Sequence, residues 1–516
     1  MNSPLTPLDF LERSRFVWRD KIAVSSGTSH FTYSEYDNRV RCLASALAVR
    51  GAGKGDRVAV LAPNTIMALE VHFAVPMIGA VLVMLNTRLT GSELAWIINH
   101  CGAKILLVDP RLQAVIAPHL DELPGVECVI YDYEELLQSA TPLGARMEPD
   151  EQDMICINYT SGTTGFPKGV MFSHRGAALN AISELSEHGL NESSVYLWTL
   201  PLFHCNGWCF SWAVTAAGGR NILLDQFDPQ VVAEIISRER VTHLCGAPIV
   251  IGALTNYCMS NGIHFTHGLK IVTAGAPPSP AVIRAAEAIG ADVAHVYGLT
   301  ETYGPHTICA WRADWNELPL EQRADRKARQ GVSYLICGQA TRVVDEQMND
   351  VPPDGQTMGE VIMRGNNVMI GYYASPEATA EAFRGGWFHS GDLAVMHADG
   401  YIEIRDRGKD IIISGGENIS SVEVEKTIYN HPAVLEAAVV AVPDEKWGEV
   451  PKAFVTLKDG AAATAEDIIA YCREHMAHFK CPKHVAFGPL PKTATGKIRK
   501  NELRAEGWEG HQKRVN

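Results

Sequence analysis

The sequence is short of positive charge: 45 lysines and arginines stand against 59 aspartates and glutamates, a formal net charge of -14 over 516 residues. Nucleic-acid binders carry a basic stripe, and this balance excludes that class. It leaves anionic nucleotides open, because loops and helix N-termini hold phosphate locally whatever the net charge. Paired cysteines are also missing. The 12 cysteines run from Cys42 to Cys481 with no Cys-x-x-Cys spacing, and Cys205 and Cys209 have no His/Cys partner set at zinc-finger spacing. They read as reduced thiols of a cytosolic protein. The longest apolar stretch, Phe73 to Leu85, is interrupted by Pro76 and Gly79 and is too short to cross a bilayer. Met1 to Arg15 has two acidic residues and no apolar core, unlike a signal peptide, and the closing Lys-Arg-Val-Asn is not a peroxisomal address. On these three readings the expected location is the cytoplasm, and separately no repeat or low-complexity tract occurs.

What is present is an alternation of helical and strand patterns. Ser34 is placed to cap a helix with the apolar stripe Val40, Leu43 and Leu47, ended by Gly51, Gly53 and Gly55. Val58 to Leu61 reads as a buried strand, a helical stretch follows Pro63, and Val81 to Leu85 is apolar again. Such alternation predicts α/β layers with parallel strands, and the length predicts more than one domain. A boundary is expected near Arg405, where the alternating strand 400–404 gives way to the charged turn Arg407-Gly408-Lys409-Asp410. Beyond it, helix (Val422 to Tyr429), two strands (Ala437 to Val442, Ala453 to Leu457) and helix (Ala465 to His475) predict a small α+β unit. The expected domains are 1–406 and 407–516.

The densest chemical signal is Tyr159-Thr160-Ser161-Gly162-Thr163-Thr164-Gly165-Phe166-Pro167-Lys168-Gly169, set between apolar strands. Its glycines let backbone approach an anion, its hydroxyls donate, and Lys168 adds mobile positive charge. It is not a Walker A loop, because Lys168 lies between Pro167 and Gly169 rather than after a glycine and before Ser/Thr. Read alone, the remaining segments are open to bland interpretations: a lone Glu301 as solvated surface, Asp392 as a turn residue, His204 as structural.

The loop resembles the signature of the adenylate-forming enzymes (acyl-CoA synthetases, luciferases and peptide-synthetase adenylation domains), and agreement in order runs from about Phe31 to Lys497. The resemblance implies roles. Tyr297-Gly298-Leu299-Thr300-Glu301 is similar to a core motif in which the Tyr ring stacks on adenine, Thr contacts the α-phosphate and Glu holds Mg²⁺. Thr273 to Pro277, with Gly275, Ala276 and Pro277, resembles the adenine-facing turn. Asp392 would bind ribose hydroxyls with Arg407 nearby. His204, after Leu200 to Phe203, would line the carboxylate pocket, with Cys205, Asn206, Trp208, Gly298 and Tyr303 around the acyl chain. Lys497, in a Gly-Lys context, resembles the catalytic lysine, the ammonium suited to charge building on the α-phosphate.

The implied reaction consumes ATP and coenzyme A with Mg²⁺ as cofactor: a small carboxylic acid is adenylated and its acyl group is then transferred to the thiol. The implied fold is a large N-terminal adenylation domain of layered α/β sheets with a small mobile α+β C-terminal domain. Between the half-reactions the C-terminal domain would turn about Lys409, where many members have Asp. The loop with Gly415 and Gly416 would then line a pantetheine tunnel, and Trp447 would touch coenzyme A. Tyr297 to Pro305, Trp311 and Arg329-Gln330-Gly331 resemble the subgroup acting on short and medium acids, aliphatic, thioether or aromatic. Loading of a carrier protein, a luciferase-type oxygenase and a nucleotide-binding pseudo-enzyme are the alternatives. No nucleic-acid or integral-membrane partner is expected, and a homodimer is left open.

Overall fold

The computed structural model describes residues 3–508 apart from 161–166, 277, 279, 339, 416, 445 and 494–496. Two large sheets organise most of the chain. One has seven strands and is built around the parallel set Arg57–Leu61, Val81–Met84, Ala103–Val108 and Cys128–Ile130, to which Met154–Tyr159 adds in parallel. The other has nine, with Val195–Trp198, Arg220–Leu223, His243–Gly246, Leu269–Thr273 and Ala291–Leu299 all parallel. These strands are buried on both faces, which is why they read as continuous apolar runs rather than alternating ones. Helices cover them. Tyr33–Val49 buries Val40, Leu43 and Leu47. Its cap is Thr32, not Ser34: the Thr32 hydroxyl accepts from the Glu35 backbone while Glu35 reaches back to the Thr32 N–H, so Ser34 falls inside the first turn.

A four-stranded antiparallel sheet follows, Thr341–Val344, Met358–Met363, Phe388–Met396 and Ile402–Arg407. Its last pair sets Asp392 opposite Arg407. After the turn Gly408–Asp410 the chain builds a five-stranded sheet from Ile412–Ser414, Glu417–Ile419, Val434–Asp444, Gly448–Leu457 and His484–Phe487. Helices Ser421–Tyr429, Ala465–His475 and Lys500–Gly507 lie with it. The apolar clusters here draw only on residues from Ile412 to Leu503, whereas the large cluster of the two-sheet region ends at Ile402. No helix among the described residues is long and apolar enough to cross a membrane.

The topology gathers the chemistry. Met154–Tyr159 runs into the Ser/Thr/Gly loop, Val195–Trp198 into the His204 segment, Leu269–Thr273 into Gly275, and Ala291–Leu299 into Thr300 and Glu301. All are carboxyl ends of parallel strands, the edge where open α/β sheets bind ligands.

Candidate active site

Within the Ser/Thr/Gly loop, Ser161, Gly162, Thr163 and Thr164 lie outside the described residues, as do Pro277 and Gly416. The loop's two ends are pinned to each other: Thr160 N donates to the Lys168 carbonyl at 3.0 Å and Lys168 N to Thr160 Oγ1 at 3.3 Å. The exposed Lys168 ammonium lies 4.7 Å from the centre of the Tyr372 ring. Tyr372 in turn donates its hydroxyl to Glu301 Oε1 at 2.8 Å. One phenol therefore orients a cation and a carboxylate from distant parts of the chain. Tyr372 escaped the reading of the sequence, where Gly371-Tyr372 has no flanking pattern to distinguish it. Half-buried Glu301 suits a hard cation, but no group of three or more His, Cys, Asp or Glu side chains among the described residues is arranged to hold a metal. Such a donor set fits an ion that brings phosphate oxygens with it, not a resident metal.

A second grouping surrounds Asp392. This buried carboxylate accepts from the Tyr297 hydroxyl at 2.7 Å and pairs with Arg407 Nε at 3.1 Å. Burial and the adjacent Asp392 charge push the Tyr297 phenol well above its ordinary range, so it stays a donor. Gly298 is required: a Cβ there would meet the Gly304 carbonyl at 1.9 Å. Thr300 stands 3.6 Å through its hydroxyl from the Cys205 thiol. Gly275, with φ of +87°, and Ala276 sit exposed at their strand exit.

Lys497 reaches this region from the C-terminal sheet unit. Lys497 is exposed to solvent, yet protein crowds around its ammonium; that crowding first, then the Arg407 charge, bring it down to about 8, against the pull of Asp392 and Asp410. His204 falls to about 4, mainly through burial and secondarily through the Lys497 charge, which leaves a neutral imidazole at pH 7. Lys497, Arg407, Asp392 and His204 thus share one field.

Around His204 the backbone does something uncommon. Cys205, Asn206, Gly207, Trp208 and Cys209 have φ of 43°, 43°, 58°, 51° and 64°, a left-handed turn of five successive residues. Gly207 is obligatory within it, since a Cβ would strike the Trp198 ring at 2.5 Å. Trp208 is buried against Gly304, and Tyr303 is wholly buried, its ring stacked on Phe172 at 3.9 Å and its hydroxyl 2.8 Å from the Cys156 sulfur. Tyr303 therefore belongs to the packed layer behind the turn.

Gly415 and Trp447 form a separate pair. The Gly415 N–H donates to the Trp447 carbonyl at 2.8 Å, a Cβ on Gly415 would meet the indole at 2.6 Å, and Trp447 is 44% exposed. Their described contacts tie them to each other rather than to Asp392 or His204. Lys409 lies in the turn Gly408–Asp410, where burial and the Arg407 charge lower its ammonium.

Family models match this chain over residues 11–373 (AMP-binding enzyme) and 423–497 (AMP-binding enzyme C-terminal domain). The chain is 47% identical to 4-hydroxybutyrate–CoA ligase 2 of Metallosphaera sedula, over 98% of this chain and 95% of that protein. It is also 47% identical to the acetate–CoA ligase CCL3 of Humulus lupulus, with the same coverage. Among solved structures, ATP-bound MatB from Rhodopseudomonas palustris superposes with a TM-score of 0.86 at 29% identity, covering 98% of this chain and 100% of that one. The anthranilate CoA ligase AuaEII, in complex with anthranoyl-AMP, gives 0.89 at 26% identity, covering 98% of each.

Proposed function

This chain belongs to the AMP-binding enzyme family, and we propose that it joins a short- or medium-chain carboxylic acid to coenzyme A in two half-reactions at the residues just described. In the first, a carboxylate oxygen attacks the α-phosphorus of ATP and pyrophosphate leaves, giving an acyl-adenylate. In the second, the coenzyme A sulfur attacks the acyl carbon, AMP leaves, and the thiol proton passes to solvent.

The observation that carries this reading is the convergence of Lys497 with Arg407, Asp392 and His204, groups drawn from both sides of the turn at 408–410. Lys497 supplies positive charge where negative charge accumulates on the α-phosphate. Lys168 serves the outer phosphates, with Thr160 fastening its loop and Ser161, Gly162, Thr163 and Thr164 between them. Tyr297 stacks on adenine while its hydroxyl holds Asp392 for the ribose, and Gly275, Ala276 and Pro277 line the base. Neutral His204 packs beside the acid without adding a competing charge. Mg²⁺, held by Glu301 and the nucleotide, would neutralise phosphate charge. Tyr372 keeps that carboxylate in place and Thr300 stands next to it.

Residues 1–406 form the adenylation domain and 407–516 the mobile one, with Lys409 as pivot; separate apolar clusters on either side of the turn support this division. Turning would withdraw Lys497 and bring Gly415, Gly416 and Trp447 to the site for the second half-reaction. The cytoplasm is the proposed location. The test is a panel of linear, branched, aromatic and thioether acids assayed separately for pyrophosphate release and for thioester formation with free coenzyme A. Pyrophosphate release without any free thioester would transfer the acceptor role to a carrier protein; release with no acid would overturn the reading.

A further inference from the structure

Three lysines follow Pro491 in close succession: Lys492, Lys497 and Lys500. The outer two are clamped. Lys492 Nζ lies 2.7 Å from Glu436 Oε2, on strand Val434–Asp444, and Lys500 Nζ lies 2.7 Å from Glu425 Oε1, on helix Ser421–Tyr429. The middle lysine takes part in neither pair, and its ammonium is the one that shares a field with Arg407, Asp392 and His204.

Backbone joins the clamped residues to the free-standing one. Thr493 N donates to the Lys497 carbonyl at 2.7 Å, Lys497 N to Thr493 Oγ1 at 3.1 Å, and Arg499 N to the Pro491 carbonyl at 2.8 Å. Lys492 and Ile498 stand opposite each other as an antiparallel bridge. The stretches 491–493 and 497–499 are therefore two paired arms, and a shift of the first carries the second with it. Both rest on one strand face. Leu490 and Ile498 pack with Ala438, Val440 and Val442, and Glu436 continues that row by the alternation of the strand. Apolar contact is non-directional, so it seats the arms without fixing where along the strand they lie. The ion pair does fix it. With side chains 29% and 13% exposed, such a pair adds little to global stability, and setting register is the best-attested use of a sheltered pair.

Lys497 has need of that register. A lysine ammonium rides on a flexible four-carbon stem, and a misplacement of about 1 Å at a reacting centre can cost on the order of 100-fold in rate. The structure assigns Glu436 as a positioning residue for adenylation: through its ion pair with Lys492 it sets the arm that presents Lys497. This rests on the two-step ligase reading above, and Glu436 acts through Lys492 rather than on the substrate. Both partners belong to the C-terminal unit, so the pair would travel with it and matter only in the pose that presents Lys497.

The experiment takes Glu436→Gln, Lys492→Met and the double variant of the full chain, with whichever acid of the panel above the parent turns over. Single-turnover adenylation should slow by about tenfold or more in each single variant. The double variant should be no slower than either, because one broken pair is common to all three. Thioester formation from supplied acyl-adenylate should stay at the parent rate. The alkaline fall in adenylation, set in the parent by an ammonium at about 8, should move up towards the ordinary 10.5, since an arm out of register takes Lys497 out of the crowding that lowers it. The charges that act most on that ammonium are Arg407, Asp392, Asp410 and Lys500, so removing Glu436 or Lys492 does not shift the midpoint by field alone. Adenylation unchanged in both single variants overturns the inference and leaves the ligase reading standing. Loss of both half-reactions together, additive slowing in the double variant, or slowing at an unmoved midpoint overturns it as well, because each marks a merely structural role. A parent that activates no acid overturns both.

Discussion

Ser421 offers a sharp test of the two-pose reaction, because its bonds straddle the pivot unequally. It is 0% exposed at the start of helix Ser421–Tyr429, and its Oγ donates to Asp406 Oδ1 at 3.0 Å while accepting from Lys500 Nζ at 2.7 Å. Lys500 also pairs with Glu425 at 2.7 Å, so it keeps a counter-charge when Ser421 is truncated. Asp406 lies before Lys409 and Ser421 after it. If the C-terminal unit turns about Lys409 as proposed, the bond to Lys500 would stay within it and survive, whereas the bond to Asp406 would break.

Ser421→Ala therefore removes one bond common to both poses and one special to the pose that presents Lys497. Hydrogen bonds to charged groups are worth about 1.5–3 kcal/mol. The second loss alone should shift the balance between poses by roughly 10- to 150-fold. The Ser421 backbone N–H still donates to Asp406, which keeps the shift short of complete disengagement. Rapid-quench measurement of acyl-adenylate formation should show slowing of about tenfold or more, while thioester formation from supplied acyl-adenylate holds or quickens. Denaturant melts should report the further, pose-independent loss. Equal slowing of both half-reactions, or a loss of stability with neither slowed, would refute this role for the Ser421–Asp406 bond.

Lys497→Ala should cut adenylation by on the order of 100- to 1000-fold and spare thioester formation from supplied acyl-adenylate; equal loss in both steps contradicts the role given to its ammonium. Because that ammonium titrates at about 8 rather than 10.5, the single-turnover adenylation rate should stay level below pH 8 and fall above it. Linkage has the opposite sense: between the two values the unfolded chain binds more protons, so this group's penalty on stability is full below pH 8 and relaxes as pH rises, readable as a difference between parent and Lys497→Ala melts. Glu301→Gln should raise the Mg²⁺ needed for half-maximal adenylation by about tenfold or more, without lowering the melting temperature. Lys409→Pro, by fixing φ at the turn, should leave adenylation and stop thioester formation; unaltered turnover would move the pivot elsewhere.

Much of this was legible because backbone demands and chemistry coincide in sequence. The parallel strands declare themselves as apolar runs buried on both faces, and Gly298 is glycine because another strand's carbonyl lies where its Cβ would go. What was not legible depends on side chains meeting from afar. Tyr372 joins Lys168 to Glu301 across 71 residues from the latter, and no periodicity forecasts such a meeting. Thr32 displaced Ser34 as a cap because only it stands three residues before Glu35, a spacing available in the sequence but outweighed there by the later residue. The left-handed turn at 205–209 was hidden altogether: a single glycine, Gly207, gives no warning that its four neighbours share its conformation.

The charge balance that first ruled out nucleic acids acquires a local meaning here. A chain of net charge -14 ought to bathe its clefts in negative potential. Yet Lys497 and His204 are both displaced towards loss of their protons, in each case by burial and then by a neighbouring cation, Arg407 for the one and Lys497 for the other. Burial does most of this, and beside it Arg407 faces Lys497 and Lys497 faces His204 as cation against cation, with Asp392 and Asp410 pulling Lys497 the other way. A polyphosphate entering the cleft would relieve that repulsion, so its binding should raise the Lys497 ammonium and hold it charged for the attack. The acidic remainder of the surface would not compete, since surface charge is screened within about 8 Å at physiological salt. The repulsion relieved on binding is itself a driving force, and it favours a ligand carrying several negative charges over the carboxylic acid alone.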